Sequence, residues 1–233
     1  MQNEWTSRTA ALLGDDAVMR LQNATVAVFG LGGVGSDTAE ALARAGVGRL
    51  ILVDGDTVAD SNRNRQLCAL TSTVGCSKAE TVAARVRDIN PACEVIAHTL
   101  FYLPPESGSG LIDGCDYVVD AVDTVKAKLG LALECKEKNV PLVSAMGCGN
   151  KLDATAFRVA DIQDTRVCPL CRVMRRELKL HGIEQLRVVY SEEAPRTPVG
   201  VEDRRTPASV SYVPGVAGLI LAGEVIKDIT GVR

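Results

Sequence analysis

The sequence predicts an α/β protein with a doubly wound, mostly parallel sheet, and two observations support this fold class. Short apolar runs alternate with helical patterns from Ala24 to about residue 145, the order that parallel strands and crossover helices produce. A glycine-rich turn follows the first run at once, and the second run ends on Asp54. Strand, glycine turn, helix, strand and acid form the βαβ unit of a Rossmann-like nucleotide-binding fold.

One domain over residues 1–233 accounts for the chain, because a chain of this length can bury roughly 70% of its unfolded surface. We expect a nucleotide-binding half over about residues 1–150. A second half over about residues 151–233 is expected to contain antiparallel strands. The predicted elements are helices over about 15–22, 37–45, 75–90, 125–138, 168–179 and 213–227, and strands over 24–29, 50–53, 95–98, 117–122, 140–145, 157–161 and 186–190.

The glycine turn after the first strand is the first candidate ligand site. Glycines permit a tight turn and let the backbone approach a ligand, while the following helix offers free N–H groups to phosphate. Asp54 lies about 20 residues beyond the turn, the usual reach of a carboxylate that accepts from a ribose hydroxyl. The candidate residues of this turn are Gly30, Gly32, Gly33 and Gly35.

The βαβ unit alone would favour a dehydrogenase, but the residues after Asp54 favour a different ligand. Asp56 follows at once, and residues 61–67 (SNRNRQL) contain two asparagines and two arginines, including Asn62 and Arg65. A cluster of guanidinium and amide donors just outside a sheet suits a triphosphate, whose charge needs bidentate partners. The alternative is a polar surface loop.

Two further charged residues occupy positions suited to a phosphate site. Lys78 lies in the first turn of a predicted helix, where the helix dipole disfavours a cation, so that a facing phosphate would explain it. Asp123 follows the predicted strand 117–122 and precedes a helix, where it could simply act as the N-cap. Ligands of open α/β sheets also lie beyond the carboxyl ends of strands.

Residues 168–179 (CPLCRVMRRELK) allow several interpretations. Cys168 and Cys171 could be half of a zinc site, but no cysteine follows Cys171. A redox dithiol is possible, although the setting is not thioredoxin-like. Otherwise Cys171 belongs to an apolar helix stripe with Leu170, Met174 and Leu178. The other side of this helix is basic, which is usual for a solvated face and also suits a nucleic-acid substrate.

Composition excludes some classes of function. The net charge of −3 argues against a general polyanion binder. No basic and apolar leader begins the sequence, so we expect a cytoplasmic protein whose eight cysteines are reduced. The longest apolar stretch, residues 213–223, is too short and glycine-rich to span a membrane.

The combined motifs resemble the E1-like (ThiF/MoeB-type) adenylating enzymes. They are the GxGGxG turn at 30–35, the Asp54–Asp56 pair, the NxNRQ segment at 62–66 and the lysine of VGCSK at 74–78. This resemblance implies ATP as the nucleotide, with Arg65 and Lys78 at its phosphates and Mg²⁺ on Asp123. It also implies a homodimer in which an arginine of the N-terminal segment, here Arg8, reaches into the partner's ATP site.

Within that superfamily, the whole chain looks most like the tRNA threonylcarbamoyladenosine dehydratases. Residues 62–66, the basic helix at 168–179 and the tail SYVPGVAG at 211–218 carry this resemblance. It implies ATP-dependent cyclisation of N6-threonylcarbamoyladenosine at position 37 of tRNA through an acyl-adenylate. A cysteine desulfurase or sulfur-acceptor protein would be a possible further partner, and the tRNAs recognised remain open.

Two other hypotheses stay open. An activator of a ubiquitin-like sulfur-carrier protein would adenylate a diglycine C-terminus, and it would be expected to have a complete zinc site. A non-catalytic NAD- or nucleotide-sensing module would not need Arg65, Lys78 and Asp123 together.

Overall fold

A seven-stranded sheet forms the centre of the computed structural model, which describes residues 4–200 and 207–232. The strands are β1 (Thr25–Phe29), β2 (Arg49–Val53), β3 (Glu94–His98), β4 (Tyr117–Asp120), β5 (Leu142–Ala145), β6 (Phe157–Asp161) and β7 (Arg187–Ser191). The helices are α1 (Ser7–Leu13), α2 (Asp15–Asn23), α3 (Gly35–Ala45), α4 (Lys78–Ile89), α5 (Val125–Lys138), α6 (Pro169–Leu180) and α7 (Tyr212–Thr230).

The strand order is β3-β2-β1-β4-β5-β7-β6, and only β6 runs against its neighbour. The chain moves outward from β1 to β3, then returns to place β4 on the other side of β1. The predicted doubly wound, mostly parallel sheet is therefore confirmed, and so is the antiparallel strand in its C-terminal part. The reversal between β1 and β4 creates the switch point at which such sheets bind ligands.

The register brings three strand ends to one edge of the sheet. Phe29 at the end of β1 pairs with Val53 of β2 on one side and with Asp120 of β4 on the other. Because parallel strands all end at the same edge, the segments that follow β1, β2 and β4 converge there.

Alternate residues of each strand face opposite helical layers. Val26 and Val28 pack into a core with residues of α3, α4 and α7, whereas Ala27 and Phe29 face the side of α5. A third cluster joins α5 to α6 beneath the β5–β7 end of the sheet. Strands buried on both faces explain why their sequences are continuous apolar runs.

Several boundaries differ from the sequence prediction: β4 ends at Asp120 rather than at residue 122, and β5 begins at Leu142 rather than at residue 140. Helix α3 begins at Gly35, inside the glycine turn, rather than at Asp37. The proline-containing, charged sequence over 191–208 predicts a loop, and it includes residues 201–206, which lie outside the described part of the chain. Among the described residues, no helix is long and apolar enough to cross a membrane.

Candidate active site

A cavity of about 590 Å³ lies beyond the carboxyl ends of β1, β2 and β4. Its walls are the glycine turn, the segments after Val53 and after Asp120, residues 100–103, the loop before α4, residues 148–149, and residues 207–214 from the C-terminal part. Nine residues that the sequence singled out line this one cavity: Gly30, Gly32, Gly33, Asp54, Asp56, Asn62, Arg65, Lys78 and Asp123.

Gly35 is the turn glycine that does not line the cavity. A Cβ atom at Gly35 would come within 1.7 Å of the Gly30 carbonyl oxygen, so this position needs glycine for packing of the turn on α3. Gly30 has φ +82°, and a Cβ there would lie 2.6 Å from the carbonyl oxygen of Ala121. The turn after β1 is therefore pressed against the segment after β4.

Asp54 connects two of the cavity walls through backbone hydrogen bonds. Its Oδ2 accepts from the N–H of Leu31 at 2.6 Å, and its Oδ1 accepts from the N–H of Asp56 at 2.8 Å. Burial raises the pKa of this carboxyl, while the two backbone donors oppose that rise. Each oxygen keeps a lone pair with which it could accept from a ligand hydroxyl.

Lys78 reaches the cavity through an ion pair with Asp56. Its Nζ lies 2.8 Å from Asp56 Oδ2, and the Lys78 N–H donates to the Asp56 carbonyl oxygen at 3.0 Å. The lysine side chain is 8% exposed, whereas that of Asp56 is 52% exposed. The buried ammonium is thus paired with a carboxylate that water can also solvate.

The SNRNRQL loop is held in place by its own side chains. Asn62 Oδ1 accepts from the N–H of Ala59 at 3.0 Å, and Asn64 Nδ2 donates to the Ser209 carbonyl at 3.1 Å. Arg65 Nη1 donates to the carbonyl of Ser61 and to Asn64 Oδ1, at 3.1 and 2.9 Å. The asparagines therefore shape the loop, and the rest of the half-buried Arg65 guanidinium faces the cavity.

Asp123 is exposed in the cavity, and its carboxylate has no hydrogen-bond partner among the residues that the structure describes. The N-cap of α5 is Thr124, and no side chain caps that helix. The interpretation of Asp123 as a helix cap is therefore wrong. Within the described ranges, no group of three or more His, Cys, Asp or Glu side chains is placed to hold a metal ion.

A buried cluster directly beneath the site was missed by the sequence analysis. Lys128 Nζ lies 3.0 Å from Asp120 Oδ2 and 2.6 Å from the Ala145 carbonyl oxygen, and Ser144 Oγ also donates to Asp120. Asp120 in turn accepts from the N–H of Val122 at 3.1 Å, which holds the segment leading to the cavity. Lys128 shares a helix face with the buried residues Leu131, Ala132 and Cys135, and this spacing was an available signal.

Arg8 lies on α1 with an exposed side chain, and it does not line the cavity of its own chain. Its predicted place in a partner's site concerns a second subunit, so it stays a prediction.

Helix α6 has the two faces that the sequence predicted, with one change. Cys171, Met174 and Leu178 are fully buried and Leu170 is half-buried, as the apolar stripe requires. Arg175, however, donates to the carbonyls of Ile162 and Thr165 at 3.2 and 3.0 Å. Arg175 is therefore a structural residue of this helix. The exposed basic side chains, called the α6 basic face below, are Arg172, Arg176 and Lys179 in the helix and Arg166 just before it.

The fold and cavity define a doubly wound α/β protein with a ligand site at its switch point. The model of the ThiF family matches residues 6–233, and the chain belongs to that family. A relative from Bacillus subtilis (strain 168), named tRNA threonylcarbamoyladenosine dehydratase, is 45% identical over 96% of this chain and 93% of its own length.

Two further comparisons bear on function. The crystal structure of E. coli tRNA N6-threonylcarbamoyladenosine dehydratase, TcdA, in complex with ATP has a TM-score of 0.90 and 34% identity, covering 99% of this chain and 96% of that chain. Adenylyltransferase and sulfurtransferase MOCS3 of Drosophila sechellia is 38% identical, but over 60% of this chain and 30% of its own length. The predicted E1-like resemblance is confirmed by these similarities.

Proposed function

We propose that this protein is an ATP-dependent enzyme that cyclises N6-threonylcarbamoyladenosine at position 37 of tRNA. The observation that carries the proposal is a single cavity that combines Arg65, Lys78 and Asp123 at the switch point of the sheet. Similarity over nearly the whole chain to a protein named for this dehydration, and to a related enzyme solved with ATP, supports the choice of substrate.

The reaction uses ATP to turn a carboxylate oxygen into a leaving group. The threonyl carboxylate attacks the α-phosphate, pyrophosphate departs, and an acyl-adenylate forms. The ureido group then attacks the acyl carbon and displaces AMP, which closes an oxazolone ring. The former carboxylate oxygen leaves in AMP, so that the modified nucleoside loses one water overall.

The cavity offers a place for each part of ATP. Backbone N–H groups of the turn at Gly30–Gly33 face the phosphates, and Asp54 accepts from a ribose hydroxyl. Arg65 and Lys78 stabilise the charge that develops during phosphate displacement. Lys78 is suited to this because its carboxylate partner, Asp56, is half exposed. Water can therefore solvate Asp56 when the ammonium of Lys78 binds a phosphate instead.

Asp123 fits the role of a Mg²⁺ ligand, because its carboxylate faces the cavity without a hydrogen-bond partner in the described parts of the chain. Mg²⁺ usually combines one or two carboxylates with phosphate oxygens and water. When bound, the ion would neutralise charge on the phosphates.

Arg8 is assigned to a homodimer, in which it would add a further cation to the partner's phosphates. Arg8 is exposed on α1 and does not line the cavity of its own chain. Both features are compatible with a contribution to the partner's site. Cytoplasmic location and a sulfur-transfer partner are proposals that follow only from the tRNA substrate and the family.

The α6 basic face is proposed as a tRNA contact. Arg172 and Lys179 are exposed, and the exposed Arg176 pairs with the neighbouring Glu177. Phosphate contacts of this kind position RNA without selecting its sequence. Arg175 is excluded from this surface because its guanidinium is used inside the protein.

The alternative is an activator of a ubiquitin-like sulfur-carrier protein. Similarity to MOCS3 over 60% of the chain supports the adenylating part of that chemistry, which both hypotheses share. The two are distinguished by substrate: a diglycine-tailed protein in one case and a modified tRNA in the other.

Mass spectrometry of nucleosides from threonylcarbamoylated tRNA, incubated with protein, ATP and Mg²⁺, tests the proposal. We expect ATP-dependent loss of one water from the modified adenosine, and no product with Arg65→Ala or Asp123→Ala. Arg63→Ala is the matched control, because Arg63 lies in the same loop but pairs outward with Asp60 at 2.8 Å. Unchanged nucleosides, with ATP–pyrophosphate exchange only after addition of a diglycine-tailed carrier, would establish the alternative.

A further inference from the structure

A pair of thiols at the start of α6 has no part in the proposed reaction. Cys168 is the N-cap residue of the helix, Pro169 is its first residue, and Cys171 lies one turn further on. The two side chains are 3% and 0% exposed, respectively. Residues three apart at a helix start lie near the separation of roughly 4.4–6.8 Å between Cα atoms that a disulfide spans.

The surroundings of Cys168 favour its thiolate. Hydrogen bonding to the Cys168 thiolate, from the Cys171 thiol and from the backbone N–H groups of Cys171, Gly147 and Leu170, favours ionisation of Cys168. These hydrogen bonds, led by that from Cys171, lower the pKa of Cys168 to about 5. The same contact, together with burial, raises the pKa of Cys171 and keeps its proton in place. One nucleophilic sulfur therefore faces one protonated sulfur.

The backbone just before this pair is strained. Val167 has φ +63°, and the N–H of Cys168 donates to the carbonyl of Arg166 at 2.6 Å across it. This combination is a tight γ-type turn with a positive central φ, which is unfavourable for a β-branched residue. Val167 is 49% exposed, so the strained turn lies at the surface directly before the buried Cys168 in the sequence. Such outliers cluster at functional positions.

We propose that Cys168 and Cys171 are a reversible oxidation site, at which hydrogen peroxide converts the two thiols into a disulfide. The Cys168 thiolate attacks one peroxide oxygen, which gives a sulfenic acid and releases hydroxide. The Cys171 sulfur then attacks the Cys168 sulfur, and the S–O bond breaks with release of a second hydroxide. The two hydroxides take up the two thiol protons and become two waters. Two thiols and one peroxide thus give one disulfide and two waters.

The site is linked to the nucleotide cavity through Gly147. Gly147 packs beside this thiol, since a Cβ atom built on Gly147 would lie 3.9 Å from Cys168 Sγ, and the next two residues, Cys148 and Gly149, line the cavity. A disulfide sulfur carries no charge and accepts hydrogen bonds weakly, so oxidation removes an anchor of this wall. We expect the oxidised protein to bind ATP several-fold more weakly than the reduced protein.

Peptide mass spectrometry tests the site directly. Trypsin cuts after Arg166 and Arg172, so one peptide (VCPLCR, 167–172) contains both cysteines and no methionine. After mild peroxide treatment of the full-length protein, this peptide should lose two hydrogens and should recover them with dithiothreitol. Cys171→Ser should instead accumulate oxygen on Cys168. Cys76→Ser is the control, because Cys76 is exposed and distant in sequence, and it should leave the result unchanged.

Two results would overturn the proposal. One is a 167–172 peptide that stays reduced while Cys76 is oxidised, and the other is direct passage of Cys168 to sulfinic acid in the unaltered protein. Calorimetric titration of ATP into reduced and oxidised protein then tests the link to the cavity, with the Cys168→Ser/Cys171→Ser variant as a peroxide-insensitive control. Equal affinities would remove the link. This link rests on the proposed nucleotide binding. If neither form bound ATP, both the proposed function and the link would be refuted. The mass of the 167–172 peptide would still decide whether the disulfide forms.

Discussion

Two lysine–aspartate pairs lie close to the same edge of the sheet, and they differ mainly in their access to water. Lys78 pairs with Asp56 at 2.8 Å, and the side chain of Asp56 is 52% exposed at the cavity. Lys128 pairs with Asp120 at 3.0 Å, with both side chains almost completely buried. The distances are similar, but the surroundings are not.

This difference separates a pair that can respond to a ligand from one that cannot. Water can take over the solvation of Asp56, so Lys78 is able to exchange its partner for a phosphate at little cost. Among the described residues, Asp120 has Lys128, Ser144 and a backbone N–H as its hydrogen-bond partners, and removal of the lysine would leave a buried charge without compensation. We therefore assign chemistry to the first pair and support of the cavity wall to the second.

Removal of Lys128 should have the largest effect on stability. Lys128→Met leaves Asp120 buried and unpaired, and should lower the free energy of unfolding by about 3–5 kcal/mol. Urea denaturation measures this loss. Lys126→Met, in the same helix but 61% exposed and paired with Glu106, is the control and should change stability by less than about 1 kcal/mol. Equal effects of both changes would mean that burial does not distinguish the two pairs.

Removal of Lys78 should affect catalysis rather than folding. Lys78→Met should reduce kcat for the proposed reaction about 10²–10³-fold, the range found when one preorganised hydrogen-bond donor to a transition state is removed. The change in unfolding free energy should stay below about 1 kcal/mol, because Asp56 is half exposed. A stable variant with normal turnover would separate Lys78 from the phosphates.

The α6 basic face extends the comparison to exposed cations on the protein surface, of which Arg176 pairs with its neighbour Glu177. Combined Arg172→Ala, Arg176→Ala and Lys179→Ala changes should weaken tRNA binding and flatten its dependence on salt. The log–log slope should fall by about one unit for each tRNA phosphate that the variant no longer neutralises. Filter binding at several salt concentrations measures both quantities. Arg44→Ala, on α3 and thus in the opposite helical layer, should change neither.

Asp37, in the first turn of α3, shows what burial does to a carboxylate that is only half buried. Burial and, secondarily, Glu40 raise its pKa to about 6, against a partial opposing effect of Arg85. Since the folded protein holds this proton more tightly, stability should fall as pH rises from about 4 to 6 and then level off. Asp37→Asn should therefore stabilise the protein at pH 8 by about 1 kcal/mol after allowance for solvent screening, and hardly at pH 4. Urea denaturation at both pH values checks this, and a larger gain at pH 4 would contradict it.

Local patterns were sufficient to predict most elements of the fold. The apolar runs at 24–29 and 50–53, the intervening glycine turn and the long helix at 125–138 were all recognisable because each depends on neighbouring residues only. The same holds for the cavity-lining residues that follow strands, since the end of a parallel strand is by itself an indication of the ligand edge. The division into two functional halves near residue 150 stays a prediction.

The tertiary structure decided what these side chains are used for. Gly35 and Gly30 both belong to the glycine motif. Of the two, Gly30 lines the cavity, whereas Gly35 packs against the carbonyl group of Gly30. Arg175 and Arg176 are adjacent in sequence, but one binds internal carbonyls and the other faces solvent. Lys128 became recognisable as the partner of Asp120 only when β4, β5 and α5 came together.

The sequence by itself determined the fold class, the family resemblance and the set of residues at the switch point, because propensity, periodicity and motif spacing are local properties. Which lysine pair lies at the cavity and which is buried, which arginine of α6 is exposed, and how deeply the two thiols are buried were decided only by the folded chain. Each of those properties depends on burial and on partners far apart in sequence, and it is burial that sets the strength of a charge, a hydrogen bond or a nucleophile.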